Sequence, residues 1–109
     1  MASLKISPKA QKDMLEIKEY ISEELGNQKA ATDVLFEITK RIRTLIEFPL
    51  LGASLSSIID IETGYRFLVC GQYTAFYRYE NDIVYLDRVL YGRREFMKIL
   101  FGDEKEEEI

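Results

Sequence analysis

The residues best equipped for chemistry in this sequence are cations of its second half: Arg66, Arg78, Arg88, Arg93, Arg94 and Lys98. Arg66, Arg88, Arg93 and Arg94 carry permanently charged planar forks suited to bidentate phosphate contacts, and strands folding back on one another could gather distant members of the set on one face. That would make an anion site. Tyr91, close to Arg93 and Arg94 in the chain, is able to stack on an unpaired base or donate a proton. Other routes are narrow. Without histidine, proton transfer would rest on Glu, Asp, Lys, Tyr or a phosphate-bound water. With Cys70 as the single cysteine, a zinc site has almost no conventional ligands, and no metal or other cofactor is expected.

Each of these side chains also has a plainer role. Arginines on antiparallel strands pair with cross-strand acids, for which Glu62, Glu80 and Asp87 are available. Tyr73, Tyr77, Tyr79 and Tyr85 read as core or half-buried sheet residues, and Met14 and Met97 as fillers of core gaps. Cys70 reads as a small buried hydrophobe, because its neighbours Leu68 and Val69 supply no base.

The net charge of −4 argues at first against a polyanionic target. Its distribution changes that reading. Residues 103–108, DEKEEE, carry five acids and one lysine and so account for the whole −4, leaving 14 basic and 14 acidic side chains in residues 1–102. Within that neutral body the acids concentrate early and the arginines late, so a locally basic face in the second half is expected. Residues 1–102 are read as one domain and 103–109 as an acidic tail; 109 residues, 47% of them apolar, suffice for one core. No apolar run approaches the roughly 18 residues of a membrane span, the N-terminus lacks the apolar stretch of a secretory signal, and a lone cysteine suits a reducing compartment. A cytoplasmic protein without membrane contact is expected.

The elements that must position the arginines follow from periodicity. Leu4-Lys5-Ile6 alternates as a short strand, after which Ser7 caps a helix that has Pro8 at its first position. Ala10, Met14, Ile17, Ile21 and Leu25 form one helical stripe ending at Gly26. Asn27 caps a second helix, whose stripe of Ala31, Val34, Leu35, Ile38, Ile42 and Leu45 runs on until Pro49. The short linker makes the two an antiparallel hairpin. Residues 49–64 read as a loop with a short strand near 58–61. Three β-rich runs, 65–70, 73–79 and 83–90, are separated by hairpin-length connections and form an antiparallel meander, and Gly92 releases the chain into a last helix over 93–101. An α+β domain is predicted, with the N-terminal strand at an edge and the helix hairpin on one face of a small antiparallel sheet. The other face, if uncovered, is the natural place for function. Regular alternation would send Arg88 and Tyr91 to opposite faces, so a bulge or break is expected near Leu90-Tyr91-Gly92.

Three segments, Tyr65-Arg66-Phe67-Leu68-Val69, Tyr73-Thr74-Ala75-Phe76-Tyr77-Arg78 and Arg88-Val89-Leu90-Tyr91-Gly92-Arg93-Arg94-Glu95, follow a helix hairpin that ends in Phe48-Pro49 with Gly52 just beyond. In this order they resemble the RelE/ParE toxin family of bacterial type II toxin–antitoxin systems, over about Ser7 to Phe101. The resemblance implies a growth-inhibiting toxin held silent by a cognate antitoxin, acting on ribosome-bound mRNA as a metal-independent endoribonuclease or, alternatively, on DNA gyrase as a poison without catalytic chemistry. A third possibility is a non-toxic member surviving as a binding module. For RNA cleavage it implies Arg66 as a phosphate clamp and Arg94 as a stabiliser of transition-state charge, with Tyr91 beside them and Arg88, Arg93 and Lys98 contacting substrate. Two departures favour the gyrase-directed or an attenuated member. Tyr91 and the run Ile99-Leu100-Phe101 stand where nucleases carry histidine and tyrosine, and residues 50–64 contain no Lys or Arg. The antitoxin is expected to bind across the sheet and helices through an extended or helical segment, covering the arginine site or displacing the last helix. The acidic tail reads first as a disordered, solubilising end, and in a sharper alternative residues 104–108 fold back over Arg93, Arg94 and Lys98.

Overall fold

A computed structural model describes residues 1–59 and 62–92. The last helix predicted over 93–101, the acidic tail, and Arg93, Arg94 and Lys98 lie outside the described residues. The elements are β1 (Ser3–Ile6), α1 (Pro8–Glu19), a π-helical turn (Tyr20–Glu24), α2 (Gln28–Arg43), a 3-10 turn (Thr44–Ile46), β2 (Ala53–Ser54), α3 (Ser56–Ile59), β3 (Tyr65–Cys70), β4 (Tyr73–Glu80) and β5 (Ile83–Tyr91).

Local chemistry sets the helix ends. The Ser7 hydroxyl accepts the Ala10 N–H at 2.9 Å with Pro8 opening α1, and the Asn27 side chain accepts the Ala30 N–H at 2.9 Å to open α2. Between them Gly26 adopts φ +65°, which lets the chain reverse into the hairpin.

The sheet order is β1-β5-β4-β3-β2, antiparallel throughout except that β1 joins β5 in parallel. Asn81 and Asp82, both at positive φ, make the two-residue connection from β4 to β5, as the right-handed twist of a tight hairpin demands. The segment after Pro49 departs from expectation. The strand is at Ala53–Ser54, and 56–59, where the strand was expected to begin, is helical. The serines account for the difference: Ser54 Oγ accepts the Ser56 N–H and bonds Ser56 Oγ, while the Ser57 hydroxyl donates to the Ser54 carbonyl, so side chains hold a turn where a strand would need ladder bonds.

α1 and α2 cover one sheet face, burying Ala10, Ile38, Ile42 and Leu45 against Leu68, Tyr77, Val84, Leu86 and Val89. Each large side chain so buried contributes about 1.5–3 kcal/mol. The opposite face is not bare: Leu55, Phe67 and Phe76 form a second apolar cluster there, with Tyr65 and Leu90 packed against it.

Candidate functional site

Tyr73 opens β4 and Tyr91 closes β5, directly opposite in register, with their rings edge to face at a centroid distance of 5.6 Å. They stand at one wall of an open groove of about 910 Å³, whose other wall is α1 with its π turn and Val34 of α2. Ile17, Tyr20 and Leu25 line that second wall. Tyr20 opens the π turn and Leu25 follows it, with the Leu25 N–H reaching back to the Tyr20 carbonyl at 3.2 Å. Tyr20, Leu25 and Tyr91 are 55%, 59% and 57% exposed, so the groove presents apolar and phenolic surface to solvent. Burial, and secondly its phenolic neighbours Tyr91 and Tyr20, raise the Tyr73 hydroxyl above its ordinary pKa.

The base of this wall is tied by one carboxylate. Asp13 of α1 accepts from Arg88 Nε at 2.8 Å and Nη2 at 2.7 Å, and from the Val89 N–H at 2.9 Å. The Arg88 guanidinium is accordingly raised above its ordinary pKa, by the hydrogen bond to Asp13 first, against the opposing effect of burial. β1 ends at Ile6, level with Leu86, so Asp13 takes over the β5 edge where the strand stops. Among the described lining residues the remaining charge is Glu16, one turn along α1, which bears on Arg88 through space.

That tie coincides with a bulge. The β4–β5 register runs from Tyr73↔Tyr91 to Phe76↔Arg88 and then slips to Tyr77↔Leu86, leaving Asp87 as the extra residue. The bulge lies three to five residues before the expected break at Leu90-Tyr91-Gly92. Its consequence is a change of face: Val89 shares the helix side with Val84 and Leu86, and Tyr91 faces the groove, while Leu90 packs on the opposite cluster. The extra residue, Asp87, accepts from Arg78 Nε at 2.9 Å on the far face, where Arg78 also lies 4.9 Å from the Tyr85 ring centre. Arg78 is thus one of the arginines paired across strands, and it also meets Glu80, two residues along β4 itself, at 3.6 Å.

Arg66 is elsewhere. It stands opposite Tyr77, four residues along β4 from Tyr73, so it lies about 13 Å along the strands and about 10 Å across the sheet from Tyr91. Its guanidinium donates to the carbonyls of Gly52, at 2.8 and 3.2 Å, and Leu50, at 3.3 Å. Tyr77 works on the same loop, donating its hydroxyl to the Pro49 carbonyl at 2.7 Å and accepting the Gly52 N–H at 3.0 Å. Among the predicted site residues, then, Tyr91 and Arg88 share the groove, Arg66 is at the opposite end of the sheet, and Arg93, Arg94 and Lys98 follow Gly92 outside the described residues.

Sequence reasoning passed over Asp13, Glu16 and Tyr20. The signal for Asp13 was present, since it is a carboxylate on the stripe of Ala10 and Ile17 and a nearly buried acid needs a partner. Tyr20 follows Ile17 by three residues and so shares its face. Among the described residues no three Cys, Asp or Glu side chains gather as metal ligands, and no helix is long and apolar enough to cross a membrane.

The fold is similar to that in the chromosomal ParDE system of P. aeruginosa, with a TM-score of 0.71 and 22% identity over 84% of this chain and 97% of that one. It is similar also to the RelBE2 toxin–antitoxin complex of Mycobacterium tuberculosis, with a TM-score of 0.52 and 19% identity over 83% of this chain and 96% of that one. No curated protein matches the sequence. The family profile of the ParE toxin of type II toxin–antitoxin systems matches residues 4–96, most of the chain. This α+β chain belongs to the ParE toxin family.

Proposed function

We propose that the chain is a toxin that acts by binding a protein target, without cleavage chemistry of its own, and that a cognate antitoxin holds it silent. The observation that carries this reading is the separation of Arg66 from Tyr91, together with the partners of the two predicted site arginines that lie within the described residues: Arg66 grips backbone carbonyls and Arg88 is neutralised by Asp13. A phosphate clamp needs cations free to meet the anion. The groove instead offers apolar surface and the carboxylate of Glu16, which repels a polyanion. By family, DNA gyrase is the proposed target, with Tyr91, Arg93, Arg94 and Lys98 as the proposed contact residues, and Arg66 and Arg88 as supports of the scaffold. The competing reading, cleavage of ribosome-bound mRNA by Arg66, Tyr91 and Arg94, requires the first two to converge on one phosphate.

The test is the full chain added separately to purified gyrase with plasmid and to ribosomes translating a defined mRNA. Protein-linked DNA breaks with intact mRNA are expected. Cleaved mRNA with no gyrase-linked breaks would overturn the proposal in favour of the nuclease.

A further inference from the structure

We propose that the turn from Phe48 to Leu51 and the end of α2 form a two-fold interface for a second copy of this chain, with Arg43 of each copy set against Glu47 of the other. This surface lies at the Arg66 end of the sheet, away from Tyr91, so the proposal stands apart from the question of which target the toxin meets.

The first observation is an apolar tip on a pinned backbone. Phe48, Pro49, Leu50 and Leu51 make one β-turn, closed by the Leu51 N–H on the Phe48 carbonyl at 3.0 Å, with Pro49 at its second position. Phe48, Leu50 and Leu51 are 60%, 62% and 46% exposed. Tyr77 holds the Pro49 carbonyl and the Gly52 N–H, Arg66 holds the Leu50 and Gly52 carbonyls, and Gly52 has no space even for a Cβ. Apolar side chains presented on such a fixed backbone bind with little ordering cost, and contiguous apolar patches on a monomer mark interaction sites. The second observation identifies the occupant by charge. Arg43 closes α2, and Glu47 follows it by four residues, directly before Phe48; both are exposed, and among the described residues neither belongs to an ion pair. A cation and an anion beside one apolar tip are complementary to the same patch turned about a two-fold axis, where residue i of one copy meets residue j of the other and j meets i. A polyanion or an acidic protein would gain Arg43 only by meeting Glu47, and a basic partner would face the reverse. Size sets the strength. Three side chains and the end of one helix are smaller than the roughly 800 Å² per copy of a stable dimer, so the pairing is expected to be reversible. Such a dimer leaves Tyr91 of both copies exposed and the toxin bivalent.

The experiment is sedimentation equilibrium of the full chain over about 5–500 μM, which should show monomer and dimer in exchange and nothing larger. Phe48→Ser and Leu50→Ser should each weaken the dimer roughly tenfold or more. Arg43→Glu and Glu47→Arg should each weaken it by up to about tenfold, less in high salt, and the two substitutions together should restore it to within about threefold of wild type. Lys29→Glu makes the same charge change 14 residues earlier in α2, about 21 Å away, and should leave the dimer unchanged. Since all these side chains are exposed, each variant should keep the urea midpoint of wild type to within about 0.5 kcal/mol. A chain that stays monomeric across the range, oligomers that grow beyond the dimer, a folded double reversal that fails to restore pairing, or equal losses in Lys29→Glu and Arg43→Glu would each overturn the proposal. So would a monomer that binds phosphatidylglycerol vesicles or duplex DNA and loses that binding in Leu50→Ser, which would give the patch to a lipid surface or a nucleic acid instead.

Discussion

Asp13 and Arg88, 75 residues apart in sequence, meet through two hydrogen bonds of 2.8 and 2.7 Å, and the same carboxylate takes the Val89 N–H. One side chain thereby fastens α1 to β5 beside the bulge that turns Tyr91 toward the groove. Removing one member of a largely buried pair leaves the other charged and unpaired, so Asp13→Ala should cost about 3 kcal/mol, read as a lower urea midpoint with an unchanged slope. Asp13→Asn keeps an acceptor for Val89 and should cost less. A midpoint unmoved in Asp13→Ala would deny the pair this role.

That relationship also marks where the sequence ceased to be legible. The helix hairpin followed from Ser7-Pro8, Gly26 and Asn27, because caps are local and each acts within three or four residues of its own position. The meander followed from three β-rich runs and their short connections. The face of Tyr91 did not follow, since it depends on a one-residue slip at Asp87 beside a contact from a distant helix, and alternation along β5 carries no trace of either. The surroundings of Arg66 were not legible for a related reason. A guanidinium suits a carbonyl as readily as a phosphate, and only the path of residues 49–52 decides which it meets.

Cys70 lies beneath α2, where burial, partly offset by Arg41, raises its thiol from an ordinary value of 9.0 to about 11. Folding therefore favours the neutral thiol. Its contribution is whole below the unfolded value and is lost as pH climbs through the folded one, between 9.0 and about 11. Burial raises the hydroxyls of Tyr65 and Tyr73 as well, in the same direction. Stability should decline above about pH 9, and Cys70→Ala should flatten part of that decline. At pH 8 a thiol reagent should label the folded wild-type chain far more slowly than the unfolded one.

Gly52 has no room for a side chain: a Cβ there would stand 2.5 Å from the Phe67 carbonyl oxygen and 2.8 Å from the Tyr77 hydroxyl. Tyr77→Phe removes the hydroxyl that serves Pro49 and Gly52 and should cost about 1–3 kcal/mol, the penalty of unsatisfied buried groups. Gly52→Ala should cost more than that, and combining it with Tyr77→Phe should not rescue it, because the clash with the backbone of Phe67 persists. Recovery of stability in the double variant would mean that the hydroxyl alone sets the limit.

Arg66 and Tyr91 supply the sharpest contrast between scaffold and contact surface. Arg66 makes charged hydrogen bonds to two loop carbonyls, so Arg66→Ala should cost about 1.5–3 kcal/mol and reduce growth inhibition only as far as it reduces the folded population. Tyr91 is mostly exposed, with its ring against Tyr73, so Tyr91→Ala should leave the urea midpoint within about 0.5 kcal/mol of wild type while weakening partner binding and toxicity. Measuring midpoint and growth inhibition together on both variants separates the roles. An Arg66→Ala protein that is as stable as wild type yet has lost toxicity would return Arg66 to the contact surface, and with it the phosphate-clamp chemistry that its position in the fold otherwise argues against.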